Sequence, residues 1–343
     1  MTFAPVLSDE VDQALRSGTA VVALETTLVS HGFSAGRGLV AARQAEQCVR
    51  ASGAVPATVG IVDGVVRAGL RPAELERFAE AGASARKAGA RDIAACVVQG
   101  GLGATTVGGT LAVCRAVGIR FLGTGGIGGV HRGFGQRLDI SGDLLQIGRT
   151  AAVVVCSGAK SMLDVPATAE LLETLGIPVL GWQTPTLPLF YTGAGGPPVS
   201  AVVTSAAEAA RMAEVHWQLS GRSGLLLGRA PADGLDLEAI VAQAVRTVAD
   251  QGISGQGVTP AVLALVEELS DGRSVQVNQQ LIADNAALAA EVAVAHARAA
   301  SAAPADVSEA WRRVPTVEYA QVGSRGDKAA SLPSWPGVDR GSR

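Results

Sequence analysis

Residues 151–160 read Ala-Ala-Val-Val-Val-Cys-Ser-Gly-Ala-Lys, an apolar run that ends in small residues and one lysine. Three successive valines in so short a run predict a strand that is buried on both faces, as in a parallel sheet. Similar short apolar runs occur along the chain at residues 19–24, 57–62, 93–98, 119–122, 177–180 and 224–227. Segments with helical spacing of apolar residues lie between and after them, at residues 38–52, from Pro72 onward, and at 105–117, 166–175, 205–219, 237–250, 260–269 and 277–299.

This alternation predicts the fold class. Strands that alternate with helices indicate an α/β protein with three α/β/α layers and a mostly parallel central sheet. Because no linker divides residues 1–300, we expect a single large domain. Residues 301–343 are rich in Ala, Pro, Ser, Gly and Arg and have no apolar periodicity, which predicts a disordered tail.

The composition argues against several functional classes. The 343 residues carry a net charge of −3, and only 3% are aromatic, so we expect no nucleic-acid partner. The amino terminus has no basic start before an apolar run, and no apolar stretch reaches the roughly 18–20 residues of a membrane span. Four widely spaced cysteines are typical of reduced thiols in a cytoplasmic protein.

Lysine is rare in this chain. Of 28 basic residues only three are lysines, namely Lys87, Lys160 and Lys328. Where charge alone matters, arginine has replaced lysine, so a retained lysine is a candidate for chemistry that needs an amine able to lose its proton. Lys160 follows a predicted strand, where a dry site would lower its pKa and make it a nucleophile. Lys87 is expected on or just after the Pro72 helix, as a charge that binds phosphate. An ordinary solvated lysine is the alternative for each.

Four polar or glycine-rich segments follow predicted strands, where the active sites of parallel sheets lie. They are residues 25–32, 99–107, 123–133 and 157–161. The third contains Gly-x-Gly-x-x-Gly from Gly123 to Gly128, a pattern typical of dinucleotide sites, but no helix start or acidic strand end follows at the expected distance. Binding of an anion by the loop amides remains a reasonable interpretation, and a simple tight turn is the alternative.

Hydroxyl groups and glycines at residues 103–110 predict a phosphate cradle at the start of a helix, with Thr106 among its donors. An ordinary helix cap by Thr105 is the alternative. Farther along, His131 precedes Asp139 and Asp143, whose carboxylates suit a hard divalent ion such as magnesium or manganese. Helix capping by Asp139 or Ser141 would explain the same residues.

The chain has only two asparagines, Asn278 and Asn285. They lie seven apart on one predicted helix and therefore on one face. This placement suggests a polar contact into the site, with exposed helix surface as the alternative.

Together these motifs resemble the pseudouridine-5′-phosphate glycosidases, also called indigoidine synthase A-like proteins. The similarity covers roughly residues 8 to 299. It is carried by Ala-Leu-Glu25-Thr-Thr with Ser30-His31-Gly32, Gly53-Ala-Val-Pro56-Ala-Thr58, Gly103-Ala-Thr-Thr106-Val, Thr124-Gly-Gly-Ile-Gly-Gly-Val-His131-Arg-Gly133, Asp139-Ile-Ser-Gly-Asp143-Leu and Cys156-Ser-Gly-Ala-Lys160-Ser.

The resemblance implies a homotrimeric enzyme that needs manganese or another divalent ion such as Mg²⁺. It implies reversible conversion of pseudouridine 5′-phosphate and water to uracil and ribose 5-phosphate, in pseudouridine catabolism. By motif, Lys160 is the Schiff-base nucleophile, Glu25 the proton donor and Asp139 the metal ligand. The expected substrate-binding residues are Lys87, Thr106, Val107, His131, Ser141, Gly142, Asp143 and Asn285.

Other functions remain open at this point. A nicotinamide-dependent oxidoreductase would rest on the Gly123 loop alone. A sugar-phosphate sensor would keep the phosphate cradle but would not need both Lys160 and Glu25. A related modified nucleotide would fit the same residues as a substrate.

Overall fold

The structure, a computed structural model, describes residues 4–33, 36–135, 138–193, 195–253 and 255–302. Within these ranges the strands, numbered in chain order, are β1 Val6–Leu7, β2 Val21–Glu25, β3 Val55–Val62, β4 Val65–Ala68, β5 Arg86–Ala88, β6 Gly103–Thr105, β7 Phe121–Gly123, β8 Val130–His131, β9 Val153–Cys156, β10 Leu163–Asp164, β11 Val179–Trp182, β12 Ala201–Val203 and β13 Leu225–Arg229. The α-helices in the same ranges are α1 Asp9–Ser17, α2 Thr27–His31, α3 Arg37–Ala51, α4 Pro72–Ala81, α5 Ile93–Val98, α6 Val107–Val117, α7 Gly142–Ile147, α8 Val165–Thr174, α9 Ala206–Ser220, α10 Glu238–Asp250, α11 Val258–Leu269 and α12 Arg273–Ala302.

One large sheet forms the centre of the molecule. Its main path runs β1-β4-β3-β2-β7-β9-β13-β11-β12. Every pair from β3 to β12 along this path is parallel, whereas β4 and β6 pair antiparallel with β3. The prediction of a mostly parallel sheet is therefore confirmed.

Helices cover the sheet in two groups. Helix α12 packs on β2, β7 and β9 and also contacts α3 and α9. Helix α6 packs on β2 and β3 and contacts α7. This is the predicted three-layer arrangement, and it explains why all four residues of β9 are fully buried.

The run at residues 93–98 was predicted to be a strand, and this prediction is wrong. It forms helix α5, in which Cys96 alone is buried, and Val98 is 86% exposed. A run this short has no periodicity that separates strand from helix, and only the burial pattern distinguishes them.

Two further boundaries differ from the prediction. Lys87 does not follow the Pro72 helix directly but lies in β5, which pairs in parallel with β6. Thr105 lies in β6, where it pairs with Ala88 of β5; its amide also donates to Thr26 Oγ1 and its hydroxyl to the Val59 carbonyl. Helix α6 therefore starts at Val107, two residues later than predicted.

The predicted tail at residues 301–343 lies outside the described residues, apart from the last two residues of α12, and stays a prediction. Among the helices that the structure describes, none combines the length and hydropathy of a transmembrane span.

A close approach at Gly158 fixes the turn after β9. Its φ is +85°, and a Cβ there would lie 1.9 Å from the carbonyl oxygen of Pro188. The turn is followed by an isolated bridge between Ala159 and Ile127. Glycine is thus needed at residue 158 both for the backbone conformation and for space.

We expect Gly158→Ala to lower the free energy of unfolding by about 2–4 kcal/mol, because it adds a backbone clash to the cost of a left-handed residue. Gly221→Ala is the matched control. Its φ is +70°, but nothing lies within 4 Å of the added carbon, so a loss of about 1 kcal/mol is expected. Urea unfolding monitored by circular dichroism measures both. Equal losses would contradict the proposed close packing.

Candidate active site

A cavity opens at the carboxyl ends of the central strands. Glu25 ends β2, Thr124 follows β7 and Lys160 follows β9, so adjacent strands deliver all three side chains to one edge of the sheet. Lys87 reaches the same cavity from β5. The remaining lining residues belong to α2 and the turn after it, the glycine loop, the segment after β11, and helices α11 and α12: Thr27, Leu28, His31, Gly32, Phe33, Gly125, Gly126, Phe190, Thr259, Pro260, Leu263, Asn278 and Ile282.

Glu25 is a buried carboxyl group with one close partner. It is 4% exposed, and its Oε1 accepts a hydrogen bond of 2.5 Å from the Thr124 hydroxyl. Burial raises the pKa of Glu25, and this effect outweighs the nearby positive charge of Lys160 and the Thr124 hydrogen bond. A carboxyl group with a raised pKa can keep its proton closer to neutral pH and donate it to a substrate.

Lys160 is held by its backbone. Its amide donates to the Ile127 carbonyl at 3.1 Å, and its own carbonyl accepts from Leu163 at 3.0 Å. The side chain is half-buried and lines the cavity. Because strand β9 and the Gly158 turn fix its Cα position, the amine enters the cavity from a rigid support.

Lys87 is the second amine of the cavity. Burial lowers its pKa, and the positive charge of Lys160 lowers it further, against the attraction of Asp143, Glu25 and Asp139. The effect of Lys160 on the pKa of Lys87 indicates that the two amines lie near each other in the cavity. The cavity thus combines one buried acid with two amines.

The loop after β7 packs tightly at its glycines. A Cβ on Gly126 would lie 2.6 Å from the Phe190 ring, and one on Gly129 would lie 2.4 Å from the Thr168 hydroxyl. The loop continues into strand β8 rather than into a helix. A dinucleotide fold needs a helix start at this point, so the nicotinamide interpretation loses its only support.

Asp143 connects this loop with helix α6. It is 5% exposed, and its carboxylate accepts from the amide of Gly108 at 2.7 Å, the amide of Gly128 at 3.0 Å and the Thr106 hydroxyl at 3.3 Å. Its own amide donates to Ser141 Oγ, which caps helix α7. Two donors of the predicted phosphate site, the Thr106 hydroxyl and the Gly108 amide, are therefore already bonded to a carboxylate of the protein itself.

The other predicted cradle residues are placed around this connection. Thr106 is the N-cap of α6 and accepts from the Gly109 amide at 3.1 Å. Val107 is the first residue of α6, and its side chain is fully buried, so only its backbone can meet a ligand. Gly142 is the first residue of α7.

Asp139 and His131 form a pair at the rim. His131 Nδ1 lies 4.0 Å from Asp139 Oδ2, and the His131 amide donates to the Asp139 carbonyl at 3.0 Å. The Asp139 side chain is 38% exposed. Across the described ranges no three His, Cys, Asp or Glu side chains group as a metal site. A single accessible carboxylate fits an ion that keeps most of its waters, as Mg²⁺ and similar hard ions do.

The two asparagines have different surroundings. Asn285 is fully buried behind the glycine loop, where its Nδ2 donates to the Thr124 carbonyl at 2.8 Å and to Ser157 Oγ at 3.1 Å. Asn278, two turns earlier on α12, lines the cavity. Asn285 thus holds the loop from behind, and any direct contact of its side chain with substrate stays a prediction.

Sequence reasoning missed the apolar part of the wall that α11, α12 and the segment after β11 supply. Its residues, Phe190, Pro260, Leu263 and Ile282, are apolar. On helices such residues look like ordinary core, and no sequence signal marks those that line a cavity.

The chain is similar to known proteins over most of its length. Residues 10–295 match the family model described as indigoidine synthase A like protein. A pseudouridine-5′-phosphate glycosidase from Chloroflexus aurantiacus is 46% identical over 300 residues, which are 84% of this chain and 97% of the relative. One of the same name from Streptomyces griseus is 44% identical over 303 residues, covering 87% of this chain and 94% of the relative.

Solved structures have the same fold. A prealnumycin C-glycosynthase in complex with ribulose 5-phosphate superposes with a TM-score of 0.79 at 38% identity, covering 88% of this chain and 99% of that one. An indigoidine synthase A-like protein from Thermotoga maritima also gives 0.79, at 32% identity, covering 87% of this chain and 99% of that one.

The raised pKa of Glu25 leads to a stability prediction. A carboxyl group whose pKa is higher in the folded than in the unfolded state stabilises the fold fully only below its unfolded pKa, and this stability is lost as pH rises through the folded pKa. Glu25→Gln keeps the acceptor for Thr124 without the charge. We expect it to raise the melting temperature at pH 8, with the gain shrinking toward pH 4.

Thermal unfolding by circular dichroism at several pH values measures this effect. Glu80→Gln, on the exposed surface of α4, is the control and should change little at any pH. A Glu25→Gln protein that is less stable than the parent at pH 8 would show that the ionised carboxylate is the form that the fold prefers.

Proposed function

The chain belongs to the family of indigoidine synthase A-like proteins, and from that membership we propose that it is a pseudouridine-5′-phosphate glycosidase. It cleaves pseudouridine 5′-phosphate with water to uracil and ribose 5-phosphate, reversibly. The observation that carries this proposal is the meeting of a buried, high-pKa carboxyl group and the amine of Lys160 in one cavity. A uracil-release assay with pseudouridine 5′-phosphate tests it directly.

The residues suit the particular difficulty of the reaction. A carbon–carbon glycosidic bond has no leaving heteroatom to protonate. The amine of Lys160 attacks C1′ and displaces the ring oxygen, which leaves with a proton and opens the ribose. The nitrogen lone pair then forms an iminium at C1′ as the bond to C5 of uracil breaks, and Glu25 gives C5 its proton. Water adds to C1′ and releases ribose 5-phosphate and the free lysine.

The phosphate is assigned to the side of the cavity that carries Lys87. Lys87 lies in β5, and the neighbouring strand β6 leads through Thr106 to the start of α6 at Val107. A lysine together with the amides of a helix start is a common arrangement for an anion. Because Asp143 already accepts from the Gly108 amide, the Val107 amide is the donor assigned to the phosphate.

A divalent ion, Mn²⁺ or Mg²⁺, is part of the proposal. Asp139 would hold it at the rim, mainly through retained waters, which fits its accessible carboxylate. Bound there, the ion would supply positive charge beside the site. Ser141, Gly142 and His131 lie near this carboxylate in the chain and the structure, and are proposed to contact substrate.

Assembly as a homotrimer, a cytoplasmic location and a role in pseudouridine catabolism are further parts of the proposal, supported by the family resemblance. A non-catalytic sugar-phosphate sensor would not need Glu25 and Lys160 together, and the uracil-release assay separates it from an enzyme.

We expect borohydride reduction in the presence of ribose 5-phosphate to attach one pentose phosphate to each chain, at Lys160. Lys160→Arg should keep the charge and lose the label, because a guanidinium does not form the imine. Mass spectrometry of the intact protein and of its peptides measures the site.

Lys87→Arg is the matched control for this experiment. It should bind ribose 5-phosphate more weakly but still label at high concentration, since its role is to supply charge. An adduct that maps to Lys87, or turnover without any adduct, would refute the assignment of Lys160.

Removal of metal ions tests the role of Asp139. Chelator should abolish turnover, and Mn²⁺ should restore it. Asp139→Ala should weaken Mn²⁺ binding, measured by the EPR signal of the free ion, by about tenfold or more. Asp233→Ala, at an exposed site, should leave it unchanged. Turnover that is indifferent to chelator would remove the metal from the proposal.

A further inference from the structure

The cavity has two chemically different walls. The strand ends supply charged and polar groups, namely Glu25, Lys87, Thr124 and Lys160. The wall from α11 and α12 is apolar except for Thr259 and Asn278. A nucleotide whose C1′ meets Lys160 and whose phosphate meets Lys87 leaves its base as the part that can face the apolar wall.

Asn278 is the unusual residue of that wall. Its side chain is 7% exposed, and within the described ranges its amide makes no hydrogen bond. A polar side chain that lines a cavity and has no internal partner is a candidate for binding a ligand there. Asn285, two turns away on the same helix, donates its Nδ2 to the Thr124 carbonyl and to Ser157 Oγ, while its buried Oδ1 has no hydrogen-bond partner within the described ranges.

The amide of Asn278 is placed against the glycine loop. A Cβ on Gly125 would lie 3.4 Å from Asn278 Oδ1. The neighbouring Gly125 carbonyl already accepts from the Ser157 amide at 2.9 Å. The amide of Asn278 therefore remains for whatever enters the cavity.

Phe190 supplies an aromatic surface beside this amide. Its φ is +65°, an uncommon conformation for a residue other than glycine, and its amide donates to the Ser157 carbonyl at 2.9 Å. Its ring packs directly on Gly126 and stands edge-on to Tyr191, with ring centroids 4.7 Å apart. A fixed aromatic ring, aliphatic neighbours and one amide are what a planar heterocycle with polar edges requires.

We propose that Asn278 is the residue that selects the base, by pairing its amide with the C2 carbonyl of uracil and a neighbouring ring N–H. This inference rests on the proposed function. In pseudouridine the sugar is attached at C5, and the ring atom opposite C5 is C2. When C5 faces Glu25 and Lys160, the edge farthest from the reaction carries O2 with an N–H on each side. Asparagine offers one donor and one acceptor, which match O2 and one N–H.

The test uses the condensation direction, in which the two substrates can be varied separately. Asn278→Ala should raise KM for uracil by at least about tenfold, since a site built to hydrogen-bond a ligand loses strongly when its partner is removed. KM for ribose 5-phosphate and borohydride labelling by it should stay close to the parent values. Gln276→Ala, an exposed amide on the same helix, is the matched control and should change neither.

A second variant tests whether Asn278 determines which base the enzyme prefers. Asn278→Asp offers two acceptors, and isocytosine carries an amino group in place of O2, next to a ring N–H. The ratio of kcat/KM for isocytosine to that for uracil should rise at least about tenfold in this variant.

Four results would count against the proposal or against the function on which it rests. An unchanged KM for uracil in Asn278→Ala, or an unchanged base preference in Asn278→Asp, would overturn the assignment. Loss of ribose 5-phosphate labelling in both variants would place Asn278 at the sugar and overturn it as well. If the parent protein neither labels nor condenses uracil, it is the proposed function that fails, independently of any Asn278 variant.

Discussion

The carboxylate of Asp143 is the interaction on which the site depends. It accepts the amides of Gly108 and Gly128 and so joins the start of α6 to the glycine loop after β7. Hydrogen bonds between a buried carboxylate and backbone amides are strong, and losing them would leave a charge unpaired. The loop so fixed carries Thr124, which bonds Glu25, and Ile127, whose carbonyl holds the backbone of Lys160. One buried carboxylate thereby sets the positions of both proposed catalytic groups.

The same arrangement creates an electrostatic conflict. Burial raises the pKa of Glu25 and lowers that of Lys87, so both groups are driven toward their neutral forms. Their opposite charges, when present, attract one another and oppose this trend. The raised pKa suits Glu25 to proton donation, and the burial that raises it costs stability.

The sequence predicts the strand ends of this site better than its other parts. Short apolar runs locate β2, β7 and β9, and the polar residues that follow them meet at one edge because parallel strands end together. The error at residues 93–98 has a different origin: a six-residue apolar run is compatible with helix or strand, and the exposure of Val98 is a tertiary property. Lys87, expected on or just after the Pro72 helix, lies in strand β5. This strand is three residues long and is defined by its pairing with β6, which no local sequence pattern indicates.

The two asparagines show that composition can indicate a candidate site residue but cannot assign its role. Asn278 and Asn285 are the only two asparagines of the chain, which made both candidates for the site. Their spacing of seven residues places them on one face of α12. That face crosses from the cavity to the packed space behind the glycine loop within seven residues. At Asn285 the loop carbonyls use the amide, so the residue acts on the substrate through Thr124 and Ser157. At Asn278 the loop presents Gly125, which brings no side chain to pair with. The difference between a supporting amide and one open to a ligand is therefore made by the loop, and only the folded structure separates them.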